Sequence, residues 1–300
     1  MVFKSLEILH NLGAIIDDID LSNTLSDKDI LEIKDLFFNK HILVFKNQNL
    51  SEEEQLKFTE NFGNLEIYPE FDKTNDSSKT YHVANVSQDG KHLTDNDEMS
   101  LYQKVNQRWH TDSSYRFTPS YASLLYGIEV LPDSAEGGET EFVNMFKVYE
   151  NLEEPLKLKL ESLHMVHYYE FGRRLFPELP PISTYEKKNV PPVSHPLIRL
   201  HPDRNNEKSL FFTANAGNQI GGMSQKEGED LHKSLVDIVS KSPYRYKHRW
   251  QKGDLVMWDN KCLLHRAIPY DMNQYRRVFR RTTVAGLGAI KGPFLDPAKL

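Results

Sequence analysis

Three stretches of this 300-residue chain carry residue types that can do chemistry together. The first is Arg108-Trp109-His110-Thr111-Asp112-Ser113-Ser114. In an extended strand, side chains two apart share a face, so His110 and Asp112 are expected to point inward together. One imidazole and one carboxylate make half a metal site. Taken alone the pair is a weak signal, because most His-x-Asp pairs are surface or hydrogen-bonding pairs. The second stretch runs from Gly253 to Ala267: an apolar Leu255-Val256-Met257-Trp258, a polar turn at Asp259-Asn260, then a strand carrying His265. A histidine from so distant a strand would complete a two-histidine, one-carboxylate facial triad. That set suits non-haem Fe(II) and leaves three coordination positions open. By itself His265 reads equally as a satisfied core histidine. The third stretch is Tyr275-Arg276-Arg277-Val278-Phe279-Arg280-Arg281-Thr282-Thr283-Val284-Ala285-Gly286. Strand alternation puts Arg277, Phe279 and Arg281 on one face. Inward arginines are costly unless they meet anions. A dicarboxylate co-substrate and an acidic substrate would supply them through bidentate pairs. The plainer alternative is an exposed basic edge strand.

The elements that must hold these residues are short. Residues 1–22 read as strands around Gly13, 26–40 as a helix capped by Ser26 with Asp29, and 42–46 as a buried strand. Ser51 with Glu54 opens a second helix, which Gly63 stops. The polar stretch 70–107 reads as loops around one strand, Tyr81–Val86, and 168–192 as a proline-rich loop; both are expected to be active-site loops. Strands follow at Ala122–Val130, Thr140–Val143 (after a Gly137-Gly138 turn), Pro196–Leu200, Leu210–Thr213, Leu255–Trp258, Cys262–Ala267 and Arg277–Ala285. Helical patterns interrupt them at 144–165 and 225–240. Short strands bracketing two helical insertions predict a mainly β fold with flanking helices, a jelly-roll or double-stranded β-helix, in one domain over 1–300.

Composition narrows the chemistry. A single cysteine permits neither an internal disulfide nor a cysteine-based metal site, so any metal must use the 12 histidines and the carboxylates. Cys262 itself, three residues from His265, reads as a small core residue. A net charge of −6 lacks the positive field of a general nucleic-acid binder. A mean hydropathy of −0.59, without a long apolar run, gives no transmembrane helix. The N-terminus has acids within its apolar stretch and no small-residue cleavage site, so no signal peptide is expected and the cytoplasm is the default. Trp109 and Trp258 read as core, Lys157–Lys159 and the basic cluster 245–252 as solvated faces, and self-association is left open.

At this point the chain is identified as resembling the taurine dioxygenase / 2,4-dichlorophenoxyacetate dioxygenase family of Fe(II)- and 2-oxoglutarate-dependent oxygenases. The likeness covers nearly the whole chain. It includes Gly13-Ala14, Asp20-Leu21, Leu43-Val44-Phe45 with Gln48, Phe62-Gly63 and Trp109-His110-Thr111-Asp112. It continues through Gly137-Gly138-Glu139-Thr140, His195-Pro196, His201-Pro202, Met257-Trp258-Asp259-Asn260, His265 and the paired arginines before Thr-Val-Ala-Gly. The resemblance implies that His110, Asp112 and His265 hold Fe(II), with 2-oxoglutarate and O₂ as co-substrates. It implies that Thr140 bonds a carboxylate of 2-oxoglutarate, Arg277 clamps the distal one, and Arg281 faces the anionic group of the substrate. Counting forward from His265 would instead select Arg276 and Arg280. The register matched back from Thr282-Thr283-Val284-Ala285-Gly286 is preferred, because turns absorb insertions while a strand's hydrophobic pattern fixes its register. His195 and His201 are expected to be structural.

The chain departs from the taurine pattern at Phe62-Gly63-Asn64-Leu65-Glu66-Ile67-Tyr68-Pro69, where Tyr68 replaces a family histidine, and at Phe71, which replaces a tyrosine. Tyr68, Phe71 and Asn106 are therefore expected to line a pocket for a substrate larger or less polar than taurine. The reaction expected is oxidation of a C–H bond, by hydroxylation or desaturation, in a small anionic carboxylate, coupled to conversion of 2-oxoglutarate to succinate and CO₂. Aryloxyalkanoates, alkylsulfonates and amino-acid-derived isonitriles are the alternatives. A zinc hydrolase would use the same triad but leave Thr140, Arg277 and Arg281 unexplained; a non-catalytic jelly-roll binding protein would leave the triad itself unexplained.

Overall fold

A computed structural model describes residues 4–9, 12–67, 79–87 and 89–292. The strands are β1 Lys4–Leu9, β2 Leu12–Asp17, β3 Ile42–Phe45, β4 Thr80–Ala84, β5 Ala122–Glu129, β6 Thr140–Asn144, β7 His164–His167, β8 Val193–Pro196, β9 Ile198–Leu200, β10 Lys208–Leu210, β11 Gln219–Ile220, β12 Arg245–His248, β13 Leu255–Asp259, β14 Leu263–Ala267 and β15 Val278–Val284. The helices are α1 Asp27–Lys40, α2 Glu52–Glu60, α3 Glu98–Val105, α4 Met145–Glu150, α5 Glu154–Glu161, α6 Glu170–Arg174, α7 Thr184–Asn189 and α8 Gln225–Lys241. No described helix is long and apolar enough to cross a membrane.

Seven strands form a large sheet in the order β1-β2-β3-β13-β5-β15-β4, and β12-β6-β14 form a smaller one. The period-2 alternation of buried strands decides what lies between them. In β3, Leu43 and Phe45 face α1 and α2, packing on Ile33, Phe37 and Phe58. Ile42 and Val44 face inward, with Val256, Trp258, Leu125 and Phe279, to meet Phe142 and Leu263 of the small sheet. The outer face of the small sheet, Val143 and Leu264, packs on Leu235 and Val239 of α8. The result is a jelly-roll core with helices on both outer faces. The caps fall where the sequence puts them: Ser26, Ser51 and Ser224 each close a capping box with the acid three residues on.

Two expectations need correction. Residues 109–112 do not form a strand. His110 makes a single antiparallel bridge to His265, and Asp112 opens a turn in which Ser113 takes φ 54°. The regions 70–107 and 168–192 are not all loop, since α3 lies in the first and α6 and α7 in the second. Their short amphipathic turns are masked in the sequence by surrounding polar residues.

Candidate metal centre and active-site cavity

The backbone bridge brings the two histidines together. His110 N–H donates to the His265 carbonyl at 2.9 Å and His265 N–H returns the bond at 2.7 Å. Residues opposed in such a pair project to the same side, and the rings lie 4.1 Å apart. His265 is also register-paired with Phe142, which fixes its face toward the space between the sheets. Asp112 reaches the same space from the turn. One donor atom from each of His110, Asp112 and His265 fits within 4.8 Å of the others, and all three residues are buried.

The donor set fits a hard divalent metal. Nδ1 of His110 lies 2.8 Å from the Arg108 carbonyl, which can only accept, so Nδ1 carries the proton and Nε2 keeps its lone pair for the centre. Burial pushes the pKa of both imidazoles down, and for His265 the neighbouring His110 adds to it. Burial opposes ionisation of Asp112, but the charge of Arg281, helped by the Ser123 hydrogen bond, outweighs it and holds the carboxyl at about 2. Two neutral imidazoles and one carboxylate are the protonation states a metal needs.

Asp112 is held on both oxygens. Arg281 donates to Oδ1 at 2.6 Å, and Ser123 Oγ donates to Oδ2 at 2.6 Å. Ser123 in turn accepts from Asn260 Nδ2 at 2.9 Å. The Asn260 side-chain oxygen accepts from Trp258 Nε1 at 3.0 Å and from the Asp112 backbone N–H at 3.3 Å. Trp258 is thus more than core: its ring also packs 4.8 Å from that of His265. Ser123 escaped the sequence reading; the one available signal was a hydroxyl on the inward face of an otherwise apolar β5.

Arg277 and Arg281 share the inward side of β15 with Phe279, and Arg276 and Arg280 do not. Arg280 is bound to Gln55 of α2 and the Leu50 carbonyl, and Arg276 to Glu129. The guanidinium of Arg277 lies 4.0 Å from the Phe279 ring centroid, and its Nε donates to the Gly138 carbonyl at 3.3 Å. Burial draws its pKa down to about 10, so it stays charged. Near it Thr140 is buried, its Oγ1 accepting from Trp250 Nε1 at 3.0 Å. The Gly137-Gly138 turn that shapes this corner has φ 79° and 80°. A Cβ on Gly137 would stand 1.8 Å from the Pro269 carbonyl oxygen. Arg249, read from the sequence as part of a solvated basic face, instead clamps this turn through the Gly137 and Ala135 carbonyls.

A cavity of about 130 Å³ opens beside His110 and Asp112 of the triad. Asn106 lines it, together with Tyr81, Tyr102, Tyr115 and Tyr169. These tyrosines were not singled out from sequence, because α3 and the start of α6 carry two of them into place. Arg281 lies 5.0 Å from the Tyr81 ring centroid, and Tyr115 and Tyr169 are 4.9 Å apart. Tyr68 and Phe71 lie outside the described residues. His195 bonds the Arg116 carbonyl and His201 bonds Asp259; neither lines the cavity.

The sequence pattern described as "Taurine catabolism dioxygenase TauD, TfdA family" matches residues 5–283. The chain belongs to this family. Alpha-ketoglutarate-dependent 2,4-dichlorophenoxyacetate dioxygenase of Cupriavidus pinatubonensis is 36% identical over 283 residues, 92% of this chain and 96% of that protein. (S)-phenoxypropionate/alpha-ketoglutarate-dioxygenase of Sphingobium herbicidovorans is 33% identical over 281 residues, 91% of this chain and 92% of that protein. The crystal structure of AAD-2 in complex with Mn(II) and N-oxalylglycine superposes with a TM-score of 0.88 at 31% identity, covering 97% of this chain and 100% of that one. Membership of the family makes this protein a 2-oxoglutarate-dependent non-haem iron dioxygenase that uses Fe(II) and O₂.

Proposed function

We propose that this protein oxidises a C–H bond of a small carboxylate that carries an aromatic body, of the aryloxyalkanoate type. The observation that carries the reading is one cavity lined by His110 and Asp112 of the triad, by Arg281 and by four tyrosines. In this reading His110, Asp112 and His265 hold Fe(II), which when bound activates O₂ at the expense of 2-oxoglutarate. Arg277 takes the far carboxylate of 2-oxoglutarate in a bidentate pair, and the Thr140 hydroxyl donates to it. Arg281 takes the substrate carboxylate while still bonded to Asp112, which ties the anion's position to that of the metal ligand. The tyrosines stack on the aromatic body and exclude water, so the C–H bond next to the carboxylate is held toward the triad. The substrate is a small molecule; neither nucleic acid nor membrane is a partner, and the working unit is a single domain in the cytoplasm.

The test is succinate release across a panel of aryloxyacetates, aryloxypropionates, taurine and isonitrile amino acids. Aryloxyacids should give the highest kcat/KM. Stimulation by taurine above all others would overturn the reading, and stimulation by an isonitrile acid alone would move it to that class.

A further inference from the structure

A second cavity, of about 240 Å³, shares no lining residue with the one over the triad. It lies between Tyr121, β9, the β13–β14 turn and the segment 286–291. Arg199 and Lys261 line it, and both are buried, at 7% and 1% exposure. Lys261 is accounted for: it pairs with Asp259 at 2.8 Å and with Asp203 at 3.6 Å, and it sits over the Tyr121 ring. Arg199 is not. Its Nη1 is buried without a hydrogen-bond partner, and among the described residues no ion pair reaches its guanidinium. Its one side-chain neighbour of note is the Phe211 ring, 5.3 Å away. Buried guanidinium donors are generally met by hydrogen bonds, and Arg280, also buried, gives its donors to Gln55 and the Leu50 carbonyl. Asp259 and Asp203 favour the charge of Arg199 from a distance, but both make their direct ion pairs with Lys261. The exposed Lys291 adds a third cation at the rim.

We propose that this cavity is an anion-binding site separate from the catalytic one, taking a small oxyanion, a carboxylate or a phosphate, on the guanidinium of Arg199. The planar fork of an arginine matches either group in bidentate fashion. Lys261 and Lys291 set the positive potential around it. The space is about eight water volumes, enough for the anionic group together with a short carbon chain. Burial holds Arg199 at about 10, so it remains a cation at neutral pH.

The experiment is a calorimetric titration of inorganic phosphate, and separately of acetate, into the protein saturated with Fe(II) and 2-oxoglutarate under argon, so that the Arg277 site is filled. The wild type should bind one of the two anions, and which it prefers distinguishes a phosphate ligand from a carboxylate one. Arg199→Met should weaken that binding by at least about tenfold, the loss of a charge-assisted pair. Its melting temperature without added anion should equal or exceed that of the wild type, because a buried charge without a partner is removed. Should Arg199→Met not fold, Lys291→Ala, at the exposed rim, should weaken binding about threefold. Unchanged anion affinity in the variant that folds, or no binding of either anion by the wild type, would overturn the proposal.

Discussion

Ser123→Ala isolates the contact that ties the metal ligand to the large sheet. The hydroxyl donates to Asp112 Oδ2 at 2.6 Å and accepts from Asn260 Nδ2 at 2.9 Å. A hydrogen bond to a charged group contributes about 1.5–3 kcal/mol, and an amide N–H left buried without a partner costs about 1–3 kcal/mol. The two losses overlap, since Asp112 keeps Arg281 and Asn260 keeps its bonds from Trp258 and the Asp112 backbone. A net cost of about 2–3 kcal/mol follows, roughly a 3–5 °C fall in melting temperature for a chain of this size. The effect on the metal is separable, because the carboxylate loses one of the two partners that set its orientation. Loss of such an outer partner weakens metal affinity about 10–100-fold. Titration of the metal-free protein with Mn(II), followed by electron paramagnetic resonance, reads that quantity directly, and calorimetry reads the stability. A lowered melting temperature with Mn(II) affinity within about twofold of wild type would show that Ser123 supports the fold without aiming Asp112. That result would refute the reasoning.

Three further expectations follow from the same geometry. Arg277→Met should raise the KM for 2-oxoglutarate about 100-fold, from ~3 kcal/mol of lost charge pairing. It should leave the melting temperature near wild type, since no described carboxylate pairs with Arg277; a KM within twofold of wild type would remove Arg277 from the co-substrate site. Gly137→Ala must move the turn away from the Pro269 carbonyl, so a destabilisation of ~1–3 kcal/mol together with a raised KM for 2-oxoglutarate is expected; an unchanged melting temperature would contradict it. Burial holds His195 at about 4 against 6.5 in the unfolded chain. The unfolded state therefore binds the extra proton, and stability, full above 6.5, falls as the pH drops toward 4, by at most ~3 kcal/mol from this residue. His201, His232 and His248, depressed chiefly by burial, act in the same direction. Scanning calorimetry of the metal-free protein from about pH 7 to about pH 5 should show a falling melting temperature, and a flat profile would contradict this.

The sequence alone determined the parts of this protein that local rules govern. Ser26, Ser51 and Ser224 announced three helices, because a cap and its acid lie three residues apart on one chain. The alternation in Ile42–Phe45 and Leu255–Trp258 announced buried strands with two faces, and alternation along β15 put Arg277, Phe279 and Arg281 on one face, while the choice of that pair over Arg276 and Arg280 came from matching Thr282–Gly286 to the family pattern. The pairing of His110 with His265, 155 positions apart, was expected from the chemistry of the donors but could not be placed by periodicity. It rests on a single bridge between segments distant in the chain, and Asp112 follows in a turn rather than along a strand. Only the tertiary structure decided which neighbours orient Asp112, since Ser123 meets it from β5 and Asn260 from the β13–β14 turn. The same holds for the tyrosines over the triad and for Arg199, because whether a buried cation has a partner depends on distances that no one-dimensional pattern records.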